Sequence, residues 1–137
     1  MTSFQITELD DAQIQDIDNR LGEYDKAFTG DEPQGEIKIG VIIDGQVVAG
    51  AWAEMTEYSM FYLSTLFVDE QYRHSGIGTT LVTELTKRAR EMGANAIRVD
   101  TFGWQAAEFY PKAGFTEVGH YTHPTKGFTE HFFFKSL

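Results

Sequence analysis

The stretch that decides the fold is Val68-Asp69-Glu70-Gln71-Tyr72-Arg73-His74-Ser75-Gly76-Ile77-Gly78-Thr79. An apolar, strand-like segment ends where it begins, a short polar turn follows, and an amphipathic helical pattern starts at the glycines. The first amides of a helix have no partners within the helix, and the helix dipole makes that end positive. A phosphate placed there meets several donors, and glycine lets the backbone approach it closely. The stretch therefore predicts an anion-binding turn.

The side chains of this turn favour the same interpretation. Arg73 adds a formal charge, and Ser75 and Thr79 add hydroxyl donors. The phosphate loop of ATPases requires a lysine before the hydroxyl residue, and Thr79-Thr80 does not supply one. The dinucleotide fingerprint requires three glycines in a parallel strand-helix-strand unit, which this region lacks. A purely packing role for the two glycines stays open on these residues alone.

The periodicity around the turn predicts the other elements. We expect helices over 10–28, 76–92 and 105–113, and strands over 37–43, 47–57, 60–68, 96–102, 115–121 and 130–135. Asp44-Gly45 predicts a tight hairpin turn, the segment 30–35 a loop, and Gly93 and Gly114 helix caps. The fold class is therefore α/β (α+β). It is a mixed, mostly antiparallel sheet of about six strands, covered by helices on both faces in one domain over 1–137.

Composition limits the function. The chain has 137 residues, 42% of them hydrophobic, no cysteine and a formal net charge of −10. Such acidity disfavours nucleic acid and anionic membranes as partners and leans towards a cationic substrate, although it could serve solubility alone. Without a leader-like or membrane-spanning apolar run, we expect a cytoplasmic protein. The lack of cysteine excludes a cysteine nucleophile and thiolate metal sites.

Two motifs resemble one known family. The pattern Arg-x-x-Gly-x-Gly at Arg73, Gly76 and Gly78 resembles the acetyl-CoA motif of the GNAT acetyltransferase superfamily. The stretch Ala106-Ala107-Glu108-Phe109-Tyr110-Pro111-Lys112-Ala113-Gly114-Phe115 resembles its second signature, and the element order agrees over nearly the whole chain. The resemblance implies transfer of an acetyl group from acetyl-CoA to an amine of a small molecule or a protein, by direct attack in a ternary complex. The alternative is a non-catalytic sensor or interaction domain of the same fold that binds acyl-CoA.

The resemblance also implies where acetyl-CoA binds. The strand over 63–68 would splay from the strand over 97–101, and the pantetheine arm would lie in the gap against the main chain of Leu66, Phe67 and Val68. The cofactor's diphosphate would be held by Arg73, His74, Ser75, Gly76, Ile77, Gly78 and Thr79, and further contacts would come from Gln105, Phe109 and Lys112. The family often has asparagine where this chain has Gly103, which puts one polar contact in doubt.

The candidate general acid is Tyr110, whose phenol would protonate or stabilise the departing thiolate. Helical spacing places it beside the stripe of Ala106, Phe109 and Ala113, so a packing role stays open. Candidates for relaying a proton from the amine are Glu54, Glu57 and Ser64, each of which could equally be a solvated strand residue.

Three further features carry weaker expectations. His120 and His123 would point to opposite faces of a strand, so we predict no metal site. Residues 121–128 are expected to form a loop over the substrate mouth. Three consecutive aromatics, Phe132, Phe133 and Phe134, would leave one face for the core and one for a helix or a homodimer partner.

Overall fold

The computed structural model describes residues 2–30 and 34–137, which divide between two compact units, one on each side of that gap. The first unit contains helix α1, Asp11–Thr29. Asp10 accepts a hydrogen bond from the Gln13 amide at 2.8 Å, and the Gln13 side chain accepts one from the Asp10 amide at 3.0 Å. This capping box explains why the helix begins there. The predicted helix is confirmed.

The apolar side chains of α1 are exposed, although their spacing forms the predicted stripe: Ile14, Ile17, Leu21 and Tyr24. The predicted loop over 30–35 falls partly on Asp31, Glu32 and Pro33, which lie outside the described residues. Organisation of the whole chain as one domain stays a prediction.

The second unit contains one six-stranded sheet with the order β1-β2-β3-β4-β6-β5. Its strands are β1 (Glu36–Ile43), β2 (Gln46–Thr56), β3 (Met60–Val68), β4 (Ala96–Phe102), β5 (Thr116–Thr122) and β6 (Thr129–Ser136). β3 and β4 pair in parallel, and the other four pairings are antiparallel. Asp44 and Gly45 take the positive φ angles, 50° and 78°, that a tight hairpin turn requires. The predicted mixed sheet and its first hairpin are confirmed.

Helix α2, Ile77–Glu91, covers one face of the sheet with Leu81, Val82, Leu85, Thr86 and Ala89. Its last turn carries Arg88 and Arg90, which suit the negative end of the helix dipole. Gly93 follows with a φ of 88°, as predicted for a cap. The core on this face also takes Phe61 and Leu63 from β3, Ile97 and Val99 from β4, and Phe133 from β6.

The third helix is shorter than predicted. The expected span was 105–113, but α3 covers Phe109–Lys112 and residues 103–108 form turns. The Gln105 side chain accepts hydrogen bonds from the Phe102 amide at 2.9 Å and the Thr101 hydroxyl at 3.1 Å, so local side-chain bonding competes with the helix. Pro111 therefore lies in the first turn of α3, where its missing amide is not needed.

The central strands separate as expected. β3 and β4 pair at Met60–Ala96, Phe61–Ile97 and Tyr62–Arg98, and no pairing follows along the described strands. Beyond that point β3 stays paired with β2, and β4 stays paired with β6. The result is a fork that opens towards Val68, at the end of β3 that leads into α2.

Candidate functional site

The predicted anion-binding turn lies directly beyond the fork. β3 ends at Val68, one turn of 3₁₀ helix covers Glu70–Tyr72, and α2 begins after Gly76. Within the described residues, the main-chain amides over 74–79 donate to no protein oxygen, whereas the Arg73 amide donates to the Glu70 carbonyl at 3.2 Å. These amides at the positive end of α2 are available to an anion.

The two glycines act differently. Gly76 has a φ of 88° and a ψ of 1°, in the left-handed region, and a Cβ there would meet nothing within 4 Å. A Cβ on Gly78 would lie 3.3 Å from Cε1 of Phe109. Gly76 therefore permits the turn itself, and Gly78 permits close packing of Phe109 against the start of α2. The sequence interpretation assigned both glycines to close approach by the anion, and the contact at Gly78 gives that residue another reason.

Arg73 is held at the mouth of the fork. Its Nε donates to the Val68 carbonyl at 2.8 Å, and its guanidinium carbon lies 5.3 Å from the centre of the Phe67 ring. The side chain is exposed, so its remaining N–H groups face solvent. His74 has a φ of 60°, which curls the turn further. Ser75 donates its hydroxyl to the Tyr72 carbonyl, so its hydroxyl proton is not free for an anion as predicted, although its amide is.

The β3 arm of the fork carries the residues expected beside the pantetheine. Leu66 pairs with Ala51, Phe67 with Gly50 and Val68 with Ala49, all along the β2 edge. Their opposite edge borders the gap left by β4. Phe67 is 56% exposed, and Leu66 packs against the core. The main chain of this arm can therefore meet an extended ligand as a neighbouring strand would.

Tyr110 packs into the core below the fork. The residue is 3% exposed, and its ring centre lies 5.4 Å from that of Phe115 and 5.5 Å from that of Phe133. No hydrogen bond of its hydroxyl is found among the described residues. Burial raises the pKa of Tyr110 well above its usual value, and the nearby Asp100 and Tyr62 raise it further. The phenol therefore keeps its proton and has a free donor.

The other three residues predicted to contact the cofactor differ in exposure and in hydrogen bonding. Phe109 is half-buried and, through its contact with Gly78, touches the anion-binding turn over 73–79, which we call the cradle. The side-chain oxygen of Gln105 is engaged by Thr101 and the Phe102 amide, and Lys112 is exposed in α3. Trp104, which follows Gly103, stacks on Phe102 with the ring centres 4.7 Å apart.

The predicted proton-relay residues lie on β2 and β3. Glu54 is exposed on β2 and pairs with Tyr62, the last β3 residue before the fork. Ser64 is the unpaired residue of a β-bulge, because Trp52 pairs with Thr65 and Ala53 with Leu63. Its hydroxyl donates to the Trp52 carbonyl at 3.1 Å. Glu57 precedes the start of β3, at the end away from the fork, so the structure does not bring it to the site.

The sequence interpretation missed Asp100 and Tyr62. The Tyr62 hydroxyl donates to Oδ2 of Asp100 at 2.9 Å, across the first positions where β3 and β4 separate. The Arg98 guanidinium carbon lies 4.3 Å from the centre of the Tyr62 ring. The available sequence signal was Asp100, a carboxylate within a strand whose other face is buried. The strand register that places it beside Tyr62 belongs to the tertiary structure and could not be read from the sequence.

The histidines near the end of the chain make contacts within the β5–β6 region, and the absence of a metal site stays a prediction. The β5–β6 register places His120 opposite His131, and Nδ1 of His131 lies 2.6 Å from Oε1 of Glu117. Across the described ranges, 2–30 and 34–137, no group of three His, Asp or Glu side chains has a geometry that could hold a metal ion. The hydrogen bond to His131, and to a lesser extent the charges of both histidines, lowers the pKa of Glu117.

The predicted loop is shorter than 121–128, because β5 continues to Thr122. His123 accepts hydrogen bonds at Nδ1 from the Lys126 amide at 3.0 Å and the Thr125 amide at 3.3 Å. Phe128 packs with its ring centre 5.3 Å from that of Phe102. The turn therefore adjoins the end of β4, on the β4–β6 side of the fork.

Comparison with known proteins identifies the family of this chain. Residues 4–115 match the Acetyltransferase (GNAT) family. The chain belongs to this family, and the resemblance found in the sequence is confirmed.

Similar proteins cover most of the chain. An acetyltransferase of Bacillus cereus has a crystal structure that superimposes with a TM-score of 0.88 at 30% identity, over 98% of both chains. An acetyltransferase of Agrobacterium fabrum is 28% identical over 85% of this chain and 86% of its own. The blasticidin-S acetyltransferase of Streptomyces morookaense is 29% identical over 66% of this chain and 67% of its own. A Bacillus anthracis chain solved in complex with acetyl coenzyme A has the same fold, with a TM-score of 0.69 at 20% identity over 78% of this chain and 66% of its own.

None of the helices in the described ranges is long and apolar enough to cross a membrane.

Proposed function

We propose that this GNAT protein is an N-acetyltransferase that moves the acetyl group of acetyl-CoA to an amine of a small molecule or a protein. The observation that carries the proposal is the row of unpartnered amides over 74–79, which lies at the open end of the β3–β4 fork. A diphosphate suits these amides and the free N–H groups of Arg73. The extended arm of the same molecule suits the unpaired edge of β3.

In this proposal the acceptor nitrogen attacks the thioester carbonyl carbon while both substrates are bound. A carbon–nitrogen bond forms, the carbon–sulfur bond breaks, and the electron pair of that bond leaves on sulfur. The proton released by the nitrogen passes to water. Tyr110 contributes the hydrogen bond that stabilises the departing thiolate, because its phenol is neutral and its donor is unused.

The raised pKa of Tyr110 refines its role. A phenol so reluctant to ionise is a weak acid, and complete transfer of its proton to sulfur would be unfavourable. We therefore assign it donation of a hydrogen bond during carbon–sulfur cleavage, with solvent delivering the proton to the free thiol. Among the base candidates, Glu54 and Ser64 stay proposals, and the bond of Ser64 to Trp52 makes Ser64 the weaker one. Cytoplasmic location and a homodimer also stay predictions.

Two measurements test the proposal. Calorimetry should show acetyl-CoA binding, and replacement of Arg73 by alanine should weaken it while the fold, followed by circular dichroism, is retained. Release of free thiol should then depend on an added amine. The blasticidin-S acetyltransferase relative makes an antibiotic amine a sensible first acceptor, alongside polyamines and lysine peptides. Binding of acetyl-CoA with no thiol release across such a panel would instead identify a sensor, and absence of binding would refute both.

A further inference from the structure

A group of polar side chains lies at the fork on the sheet face opposite the core. We call this group the fork face, and its members are Tyr62, Asp100, Tyr121 and Glu130. Val99 and Thr101 are buried on the core side of β4, so the alternation of a strand places Asp100 on the other side. Glu130 pairs with Phe102 and with Tyr121 in the register, which brings it to the same end of the sheet.

The two carboxylates of the fork face accept hydrogen bonds from neutral phenols. Tyr62 donates to Asp100 at 2.9 Å, and Tyr121 donates to Glu130 at 2.6 Å. Burial and then the hydrogen bond to Asp100 raise the pKa of Tyr62, and the hydrogen bond to Glu130 raises the pKa of Tyr121, so both phenols stay protonated. Each carboxylate also keeps lone pairs that one phenol does not use.

The negative charge of these carboxylates is not neutralised by an ion pair. No lysine or arginine in the described part of the chain forms a salt bridge with Asp100 or Glu130. The Arg98 guanidinium lies over the ring of Tyr62. Asp100 and Glu130 are only half-buried, so a ligand can reach them from solvent.

A second observation, on the core side of the sheet, concerns the same opening between β3 and β4. Tyr110 is 3% exposed, and no hydrogen bond of its hydroxyl is found among the described residues. Burial raises its pKa most, and Asp100 and Tyr62 raise it further. The phenol of Tyr110 and the carboxylate of Asp100 therefore influence each other from opposite faces of the sheet. The opening between β3 and β4 is the route by which an acceptor on the fork face would reach a thioester held near Tyr110.

We propose that the fork face binds a second positive charge on the acceptor, and that Asp100 is the residue that gives the enzyme its preference for such polycationic amines. The proposal rests on the function proposed above. An ammonium group has three donors and suits carboxylates that retain free lone pairs. An acceptor with a carboxylate at the same position would be repelled.

The test compares three acceptors of one length that differ in charge at the far end: 1,5-diaminopentane, pentylamine and 5-aminopentanoate. Each is titrated into the CoA-saturated protein and followed by amide chemical shifts. We expect the diamine to bind roughly fivefold more tightly than pentylamine, with shifts at residues 62, 100, 121 and 130. We expect 5-aminopentanoate to bind most weakly.

Two variants test whether Asp100 causes the difference in affinity between the acceptors. Asp100→Asn keeps an oxygen for the Tyr62 hydroxyl and removes the charge, so the diamine should bind about fivefold more weakly while pentylamine is unaffected. Glu91→Gln makes the same charge change on the exposed last residue of α2 and should change neither affinity. Equal affinity for diamine and monoamine, shifts elsewhere on the protein, or unaltered diamine binding by Asp100→Asn would overturn the proposal.

Failure of this specificity proposal can be distinguished from failure of the proposed function. Acetyl-CoA binding to Asp100→Asn should equal that of the wild type, because the residue does not contact the cradle. If the wild type bound no acetyl-CoA, the function would fail. If acetyl-CoA bound and thiol were released without any preference for the diamine, only the specificity assignment would fail.

Discussion

Tyr110→Phe is the sharpest test of the proposed chemistry, because the structure separates its effect on stability from its effect on turnover. No hydrogen bond of the hydroxyl is found among the described residues, so its removal breaks none of them. The ring keeps its contacts with Phe115 and Phe133. Removing a hydroxyl that bonds to no protein group costs little stability. The midpoint of chemical unfolding should therefore change little.

Turnover should respond differently. A hydrogen bond to a charged group contributes about 1.5–3 kcal/mol. If Tyr110 makes such a bond only as the thiolate forms, its loss lowers kcat by about 10- to 150-fold, since about 1.4 kcal/mol corresponds to a factor of ten. Affinity for acetyl-CoA should change little, because the ground-state thioester sulfur is a poor acceptor.

The assay is the rate of thiol release at saturating acetyl-CoA, with calorimetry for the affinity. Tyr24→Phe is the matched control, since Tyr24 is an exposed tyrosine on α1 in the other unit of the chain. Wild-type kcat in a folded Tyr110→Phe protein would remove Tyr110 from the mechanism. A loss of kcat accompanied by an equal loss of stability would show a packing role instead.

Three further predictions concern single residues. Gly76→Ala places a side chain at a φ of 88°, so it should destabilise the fold by about 1–2 kcal/mol and weaken acetyl-CoA binding. Thermal unfolding measures the first effect and calorimetry the second. An unchanged melting temperature would contradict the argument that the turn requires glycine. The Thr86 hydroxyl is buried in α2 without a hydrogen-bond partner in the described part of the chain, so Thr86→Val should raise the free energy of unfolding in urea by about 1 kcal/mol. A loss of stability would show that the hydroxyl has a hydrogen-bond partner. The hydrogen bond to His131 lowers the pKa of Glu117, so the contribution of this pair to folding stability is present above the ordinary carboxyl value of 4.5 and is lost as the pH falls below it. Glu117→Gln should therefore flatten the acid limb of the curve of folding stability against pH. An identical acid limb in the variant would refute the pairing.

The sequence by itself determined the strands, the first two helices and the cradle, because these depend on residues close together in the chain. The alternation over 36–43 and the Asp44-Gly45 turn produce a hairpin without help from distant contacts. The glycine at position 76 and the amides that follow it make an anion site by local backbone geometry. The motifs at 73–78 and 106–115 were sufficient to recognise the family.

The length of α3 could not be predicted from periodicity. The pattern over 105–113 suits a helix, but the Gln105 side chain bonds back to Thr101 and Phe102 at the end of β4. Those bonds stabilise a turn over the residues expected to form the first helical turns. A local competition of this kind depends on where β4 ends, which in turn depends on its pairing with β6.

Only the tertiary structure decided which side chains share the fork. Tyr62 and Asp100 are 38 residues apart in the chain and meet because three parallel pairs align β3 with β4 before the strands part. Tyr121 and Glu130 reach the same face through the β5–β6 register. Strand register is set by burial of whole faces across the sheet, and that information is spread over all the strands rather than contained in any one of them.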